Sequence, residues 1–422
     1  MAKMQYDKTG RLLFTREMQR EFTLLLPNML PIHGEIIANC LRLHGYKCET
    51  LTAAHRGVQE AGLKYVHNDA CYPAILVIGQ FIDALNSGQY DRNKTALLIT
   101  QTGGGCRASN YIHLLRNALR KAGYSDIPVV SLNLSGLERN PGFRLSIKLI
   151  KRLIYAIIYG DLLMLLYNQC RPYELEVGST DRVLTEWVEK KLAAEFKNGA
   201  NLKYKRLVHN FEQIINDFTA IRRSDQVKPR VGIVGEIYVK YSPLGNNDLE
   251  NFLISEGAEP VTPGLSDFVI FKIDNRDADV GLYGGLWLKQ RIARALKKFF
   301  IKYQDAMISA VTQSAFRAPP RFESIKKLAS EYVSEGNKMG EGWLLTGEML
   351  ELIHDGAPNI VCTQPFGCLP NHIVGKGMIR AIRSRRPEAN IVAIDYDPGA
   401  TKINQENRIK LMLANAGRHN PV

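Results

Sequence analysis

The chain has 422 residues, 45% of them hydrophobic, and carries 55 Lys and Arg against 42 Asp and Glu, a net charge of +13. That length exceeds what one ordinary core needs, so two or three domains are expected, and the ordinary Gly, Pro and charge content excludes a collagenous, disordered or disulfide-stapled chain. The positive charge suits acidic partners or phosphorylated ligands, but it is scattered in small clusters such as Lys297–Lys302 and Arg380–Pro387; with no helix-turn-helix, RNA-recognition or zinc-finger signature, specific nucleic-acid readout is not expected.

The first residues, "MAKMQYDKTGRLLFTREMQREF", lack the apolar core of a signal peptide, and a cytoplasmic protein is expected. Glu21–Pro27 reads as a strand, Gly34–Tyr46 as an amphipathic helix ended by a glycine, and "KCETLT" as a second strand. Pro73–Gly88 is a helix with Pro in its first turn and Gly just past its end. Thr95–Gln101 is a short apolar strand that stops in three glycines; Ala108–Gly123 is a helix and "IPVVSLNL" a strand. The middle of the chain reads helical from Phe143 to Ser224, broken at Arg171–Asp181. Its most apolar run, Leu153–Cys170, is interrupted by Gly160 and Asp161, which makes it a buried helix and not a membrane span. Alternation resumes with a strand signal over Arg230–Tyr241, then the helix "NNDLENFLISEG" and a return through "EPVTPG". Helices fill Leu286 to Ile353, and the strands Asn359–Gln364 and Asn390–Tyr396 close the chain, each followed by a helix. Buried strands alternating with helices imply parallel sheets covered on both faces. The expected architecture is α/β, two doubly wound, Rossmann-like lobes: residues 1–142, a mainly helical insertion over 143–228, and a second lobe over 229–422. No short internal repeat is visible, and a distant duplication of one lobe plan stays open.

Seven cysteines, odd in number and with no CxxC pair, read as reduced thiols or metal ligands rather than disulfides. Three sit at mouths of predicted helices: Cys71 before Pro73, Cys106 after "TGGG", and Cys368 between Gly367 and Pro370. Open parallel sheets bind ligands outside the carboxyl ends of their strands, where Cys106 and Cys368 fall. A helix N-terminus lowers a thiol pKa and offers N–H groups to sulfur. Gly103, Gly104, Gly105 and Gly367 would let the backbone approach a bulky inorganic group, and thiolates are the soft ligands that iron–sulfur clusters require. Cys40, Cys48, Cys170 and Cys362 lie within regular elements and read as small buried hydrophobes, with Cys40 and Cys362 retained as accessory ligand candidates. The competing reading is a catalytic cysteine, Cys106 with His33 or His113.

At these residues the chain resembles a known family. "NDACYPA", "QTGGGCRASNY" and "FGCLPNH", together with "GEGWLLTGEM" and "NIVAIDYDPGATKINQENRIKLML", are similar to the iron–sulfur component of the 2-hydroxyacyl-CoA dehydratase and benzoyl-CoA reductase superfamily, closest to the C-terminal module of large activase-related proteins. The resemblance covers nearly the whole chain. It implies an oxygen-sensitive cluster on Cys71, Cys106 and Cys368, either a single 4Fe-4S cluster with an open iron or a double cubane, the latter needing more cysteines. It also implies a separate ATP-dependent activase that delivers a low-potential electron; the chain has no GxxxxGK(S/T) loop of its own. An acyl-CoA thioester substrate and a homodimer or a heterodimer with a related subunit are further implications.

The remaining candidates are weaker. Arg107 could stabilise a reduced cluster or bind a thioester oxygen, His33 and Glu35 could move protons, and Glu341 with Trp343 could line a pocket. Each has a plain alternative: a surface ion pair for Arg107, helix capping for His33 and Glu35, and a helix start with an aromatic anchor for Glu341 and Trp343. Asp395 and Asp397 read as strand-end turn formers. The expected function is an iron–sulfur reductase or dehydratase component; the alternatives are a non-catalytic electron-transfer or double-cubane protein acting on small molecules, and a cluster-free binding protein.

Overall fold

The computed structural model describes residues 3–101, 105–133, 138–197 and 203–419; Gly103 and Gly104 lie outside them. The first part of the chain runs α1 (Arg16–Glu21), β1 (Thr23–Leu26), α2 (Pro31–Arg42), β2 (Lys47–Thr50), α3 (Arg56–Tyr65), α4 (Tyr72–Asn86), β3 (Thr95–Thr100), α5 (Tyr111–Lys121) and β4 (Val129–Leu132). A helical stretch follows: α6 (Ile147–Cys170), α7 (Ser179–Thr185), α8 (Leu192–Lys197) and α9 (Tyr204–Thr219). Next come β5 (Arg230–Gly235), α10 (Ile237–Tyr241), α11 (Pro243–Asn246), α12 (Leu249–Ser255), β6 (Glu259–Val261), α13 (Leu265–Tyr283), α14 (Trp287–Thr312), α15 (Phe322–Ser330) and α16 (Trp343–His354). The chain ends with β7 (Asn359–Pro365), α17 (Ile379–Arg385), β8 (Asn390–Tyr396) and α18 (Lys402–His419).

The strands form two four-stranded, all-parallel sheets, ordered β2-β1-β3-β4 and β6-β5-β7-β8. In chain order both read second, first, third, fourth. Representative registers are Leu25 opposite Leu97 in the first sheet and Ile233 opposite Val361 in the second. The central strands are apolar on both faces because helices cover both sides.

Two sequence expectations are corrected. The run Arg230–Tyr241 is not one strand: β5 stops at Gly235, where a Cβ would stand 2.0 Å from Thr363 Oγ1, and Glu236 caps α10 by accepting the Val239 N–H at 3.0 Å. Helix formation also extends beyond Leu286–Ile353, since Leu265–Tyr283 forms α13. The apolar run Leu153–Cys170 lies in α6, which is buried on most sides; Arg152 reaches the Phe196 carbonyl at 2.6 Å, and Asp161 accepts from the Leu265 and Ser266 N–H groups. Among the described residues no helix is long and apolar enough to cross a membrane.

Helix α4 joins the two sheets. Thirteen of its 15 residues are buried, and its apolar core continues through Val231 and Ile233 of β5 and Tyr238 of α10. On its other flank it meets α3 at backbone distance: a Cβ on Gly79 would lie 2.1 Å from the Val58 carbonyl oxygen, and one on Gly62 2.2 Å from that of Ile75. A methyl group at either place forces the helices apart. Gly79→Ala is therefore expected to destabilise by about 2 kcal/mol or more in urea unfolding. Gly281→Ala, in α13 with nothing within 4 Å of its added Cβ, should instead be neutral or stabilising by about 0.5–1 kcal/mol.

Candidate functional site: three cysteines between two sheets

The α3–α4 turn carries Cys71 to the N-cap of α4, where Pro73 occupies the first turn without sacrificing a hydrogen bond. Cys106 follows β3 and opens a short 3-10 turn, Arg107–Asn110, that leads into α5; the expected helix from Ala108 begins as this tighter turn. Cys368 follows β7 and precedes the helical turn beginning at Asn371. Cys106 and Cys368 thus stand beyond the carboxyl ends of two strands, one in each sheet.

The first and second halves of the chain are tied together here. The Tyr72 N–H donates to the Phe366 carbonyl at 3.0 Å. Gly367 has a φ of +73°, and a Cβ on it would stand 3.0 Å from Cys71 Cα, so this close approach requires glycine. Cys71 Sγ lies 2.9 Å from the Tyr111 hydroxyl. Arg107 donates to the Asp69 carbonyl at 3.1 Å, tying the Cys106 turn to the one before Cys71. Gly105 abuts Met339: its added Cβ would fall 2.5 Å from Met339 Sδ. The ionised forms of Cys71 and Cys368 are each opposed by the charge of Cys106. The three cysteines therefore meet in one recess although nearly 300 residues separate the first from the last.

Two carboxyl groups share that recess. Glu236 acts on all three cysteines and on Tyr111, and Glu341 on Cys106 and Cys368. Glu341 Oε1 accepts the Ile237 N–H at 3.1 Å, so the two acids flank the start of α10. Burial and the neighbouring Glu341 push the Glu236 carboxyl up to about 8, which favours its protonated form near neutral pH. Glu236 and Tyr111 nonetheless keep accessible surface, as a recess requires. Lys272 brings a cation to the site: it donates to the Gly340 carbonyl, burial lowers its pKa, and Glu341 and Cys106 pull it back up.

The expected depression of the thiol pKa values is not the net outcome. The N–H groups of Ala74, Ala108 and Asn371 do favour the thiolates of Cys71, Cys106 and Cys368 respectively. Burial outweighs them, raising Cys71 to about 11 and moving Cys106 and Cys368 upward. Protons can neutralise these acids singly; a multivalent cation would neutralise several together. Among the described residues no three His, Cys, Asp or Glu side chains are close enough to hold a single metal ion.

The other candidates lie elsewhere. His33 is 1% exposed, packs on Gly160 and binds Asp161 at 2.8 Å, and Glu35 pairs with Arg42. His113 faces outward on α5. Trp343 is an aromatic anchor between Phe271 and Phe322. Asp395 pairs with Lys376, and Asp397 accepts the Gly399 N–H in a turn. All seven cysteines are free thiols; Cys40, Cys48 and Cys170 belong to one hydrophobic core and Cys362 to another. Sequence reasoning missed Glu236, Tyr111 and Lys272. A carboxylate directly after a Gly-terminated apolar run was the available signal for Glu236. A groove of about 1060 Å³ between α9 and α14 includes none of these residues.

Neither models of known families nor curated proteins give a match to this chain.

The raised thiol pKa values set an expectation for the metal-free chain. Iodoacetamide at pH 7.5 should alkylate Cys71 and Cys368 at least about tenfold more slowly than a free thiol, with Cys106, the only cysteine that is not buried, reacting first. Rates should still climb above pH 9, and Glu341→Gln should speed Cys106; peptide mass spectrometry over a time course reads both.

Proposed function

We propose that this chain is the iron–sulfur component of an ATP-dependent reductase or dehydratase, with Cys71, Cys106 and Cys368 as cluster ligands. The observation that carries the reading is the meeting of these three thiols, contributed from both halves of the chain, each beside a backbone N–H. The residues suit such a group. Sulfur donors are soft, the N–H groups favour thiolates, and Gly367 lets the Cys71 and Cys368 segments come together. The other four cysteines belong to regular helices and strands rather than standing at their mouths, which favours a single 4Fe-4S cluster over a double cubane. We also read the two sheets as doubly wound lobes: each has its first and third strands adjacent at its centre, the crevice where such folds bind ligands.

When bound, the cluster supplies one-electron reduction at low potential. The chain's own part is to position and to protect. Glu236 holds a proton near neutral pH beside the thiols, and the Tyr111 hydroxyl lies against Cys71 Sγ. Lys272 sets a positive charge against Glu341 and Cys106, where an anionic or carbonyl oxygen of a substrate would find it. An acyl-CoA thioester is the substrate class the sequence resemblance suggests. The electron would come from a separate ATP-dependent activase, and a homodimer or a pair with a related subunit completes the proposal.

Anaerobic purification with iron and sulfide quantification and EPR tests the reading. About four irons and four sulfides per chain are expected for one such cluster. Cys71→Ala, Cys106→Ala and Cys368→Ala should each lower iron content, while Cys48→Ala and Cys170→Ala leave it unchanged. Equal loss from both groups would mean general destabilisation, and a colourless anaerobic protein would remove the cluster altogether. An activase with ATP should reduce the loaded protein where mild donors do not; reduction at equal rates without either would make it a conventional electron carrier.

A further inference from the structure

The surface around the α13–α14 hairpin is unlike the rest of the molecule. Among the described residues, eight of the 22 exposed large hydrophobic side chains fall within Leu282–Phe299. Leu282, Tyr283, Leu286, Trp287 and Leu288 crowd the tip, between 52% and 71% exposed, around Gly284 and Gly285. From there Leu288, Ile292, Leu296 and Phe299 run down α14 at spacings of four, four and three. Residues so spaced lie along one line of a helix, the pattern of a helix–helix seam. The exposed apolar area is on the order of several hundred Å², the size of patch that often marks an interaction site.

The charge beside the seam has one sign. Between Trp287 and Gln304, α14 carries Lys289, Arg291, Arg294, Lys297, Lys298 and Lys302 and no carboxylate. The acids of the facing helix are already engaged: Asp274 by Lys297 and Lys326, Asp277 by Arg294, and Asp279 by Lys338. Lys289, Arg291 and Lys298 have no ion-pair partner among the described residues; Arg291 only stacks on Trp287, 5.6 Å from its ring centre. A second copy of this chain would set these cations against their equivalents, so charge disfavours self-association through this face. The face also reaches the cysteine recess. Lys338 binds Asp279 and covers the Tyr283 ring, and its neighbour Met339, half exposed, packs on Gly105 beside Cys106.

We propose that the α13–α14 hairpin is a docking surface for a second protein that presents an apolar helical seam bordered by carboxylates. Docking buries Trp287, and carboxylates of the partner pair with Lys289, Arg291 and Lys298. Its place at the rim of the recess brings such a partner next to Cys106. The proposal does not depend on the cluster.

Trp287 is the natural reporter, because Trp187 and Trp343 are 3% and 1% exposed against its 64%. The purified protein is titrated with a synthetic amphipathic helix bearing a leucine seam flanked by glutamates, and with the same seam flanked by lysines. The glutamate helix is expected to blue-shift Trp287 emission and shield it from acrylamide, with the effect falling in 1 M salt; the lysine helix is not. Ile292→Glu should weaken binding at least tenfold with an unchanged melting curve, and Trp287→Phe should remove the signal. Equal binding of both helices would overturn the proposal. So would sedimentation showing a dimer that already shields Trp287, or anionic lipid vesicles shielding it where the glutamate helix does not. None of these readouts requires iron, so failure of the docking face and failure of the iron–sulfur reading remain separate results.

Discussion

The whole arrangement depends on one close approach: the Cys71 backbone against Gly367, fixed by the hydrogen bond from Tyr72 to the Phe366 carbonyl. That contact joins the start of α4 to the loop after β7, and it lets two cysteines nearly 300 residues apart share a recess. It works because both partners are backbone. A side chain on residue 367 would hold the halves apart, and its φ of +73° is one that L residues adopt at a cost. The packing of α4 against both sheets holds the contact in place, since a helix buried on nearly every side cannot shift without opening a core.

The recess is electrostatically unbalanced in a directed way. Three thiols and two carboxyl groups converge on it, against fewer cations, among them Lys272 beside Cys106 and Lys240 beside Glu236. Desolvation and mutual repulsion both oppose ionisation. The local N–H groups oppose them in turn, and they serve a thiolate only once something positive compensates the burial. Soft donors, nearby N–H groups and a deficit of positive charge are what a cationic inorganic guest would meet.

The strands and the placement of the three cysteines at the starts of helical turns were legible because their signals are local. "TALLIT" and "NIVAIDY" are apolar runs with polar or turn residues at their borders, and the cysteines stand beside Gly, Asp and Pro outside any packing period. The second carboxylate was hidden by its neighbours. "RVGIVGEIYVKY" is rich in β-branched residues throughout and reads as one strand, whereas the close contact of Gly235 with Thr363 marks where pairing stops and Glu236 turns the chain into a helix. His33 illustrates the reverse error. It follows the first strand, as a site residue would, but its ring is taken by Asp161, 128 residues away, a partner no local pattern could name. That Glu341 and Lys272 reach the same recess is equally a matter of tertiary approach. Helix α13 was overlooked because Lys272, Asp274, Asp277 and Asp279 interrupt its apolar face with charges that find their partners only on other elements.

The burial of α4 on both flanks has a consequence for how the protein is made. One flank is covered by α3, only a few residues upstream, but the other waits for β5 and α10, and Val231 is synthesised ~160 residues after Tyr72. At ribosomal rates of ~5–20 residues per second the nascent chain spends roughly 8 to 30 seconds with that flank uncovered. For that interval "YPAILVIGQFIDALN", which carries a single charge, is a greasy segment exposed on an incomplete chain. Such a stretch is a natural chaperone substrate, and a translational stall between α4 and β5 would prolong its exposure.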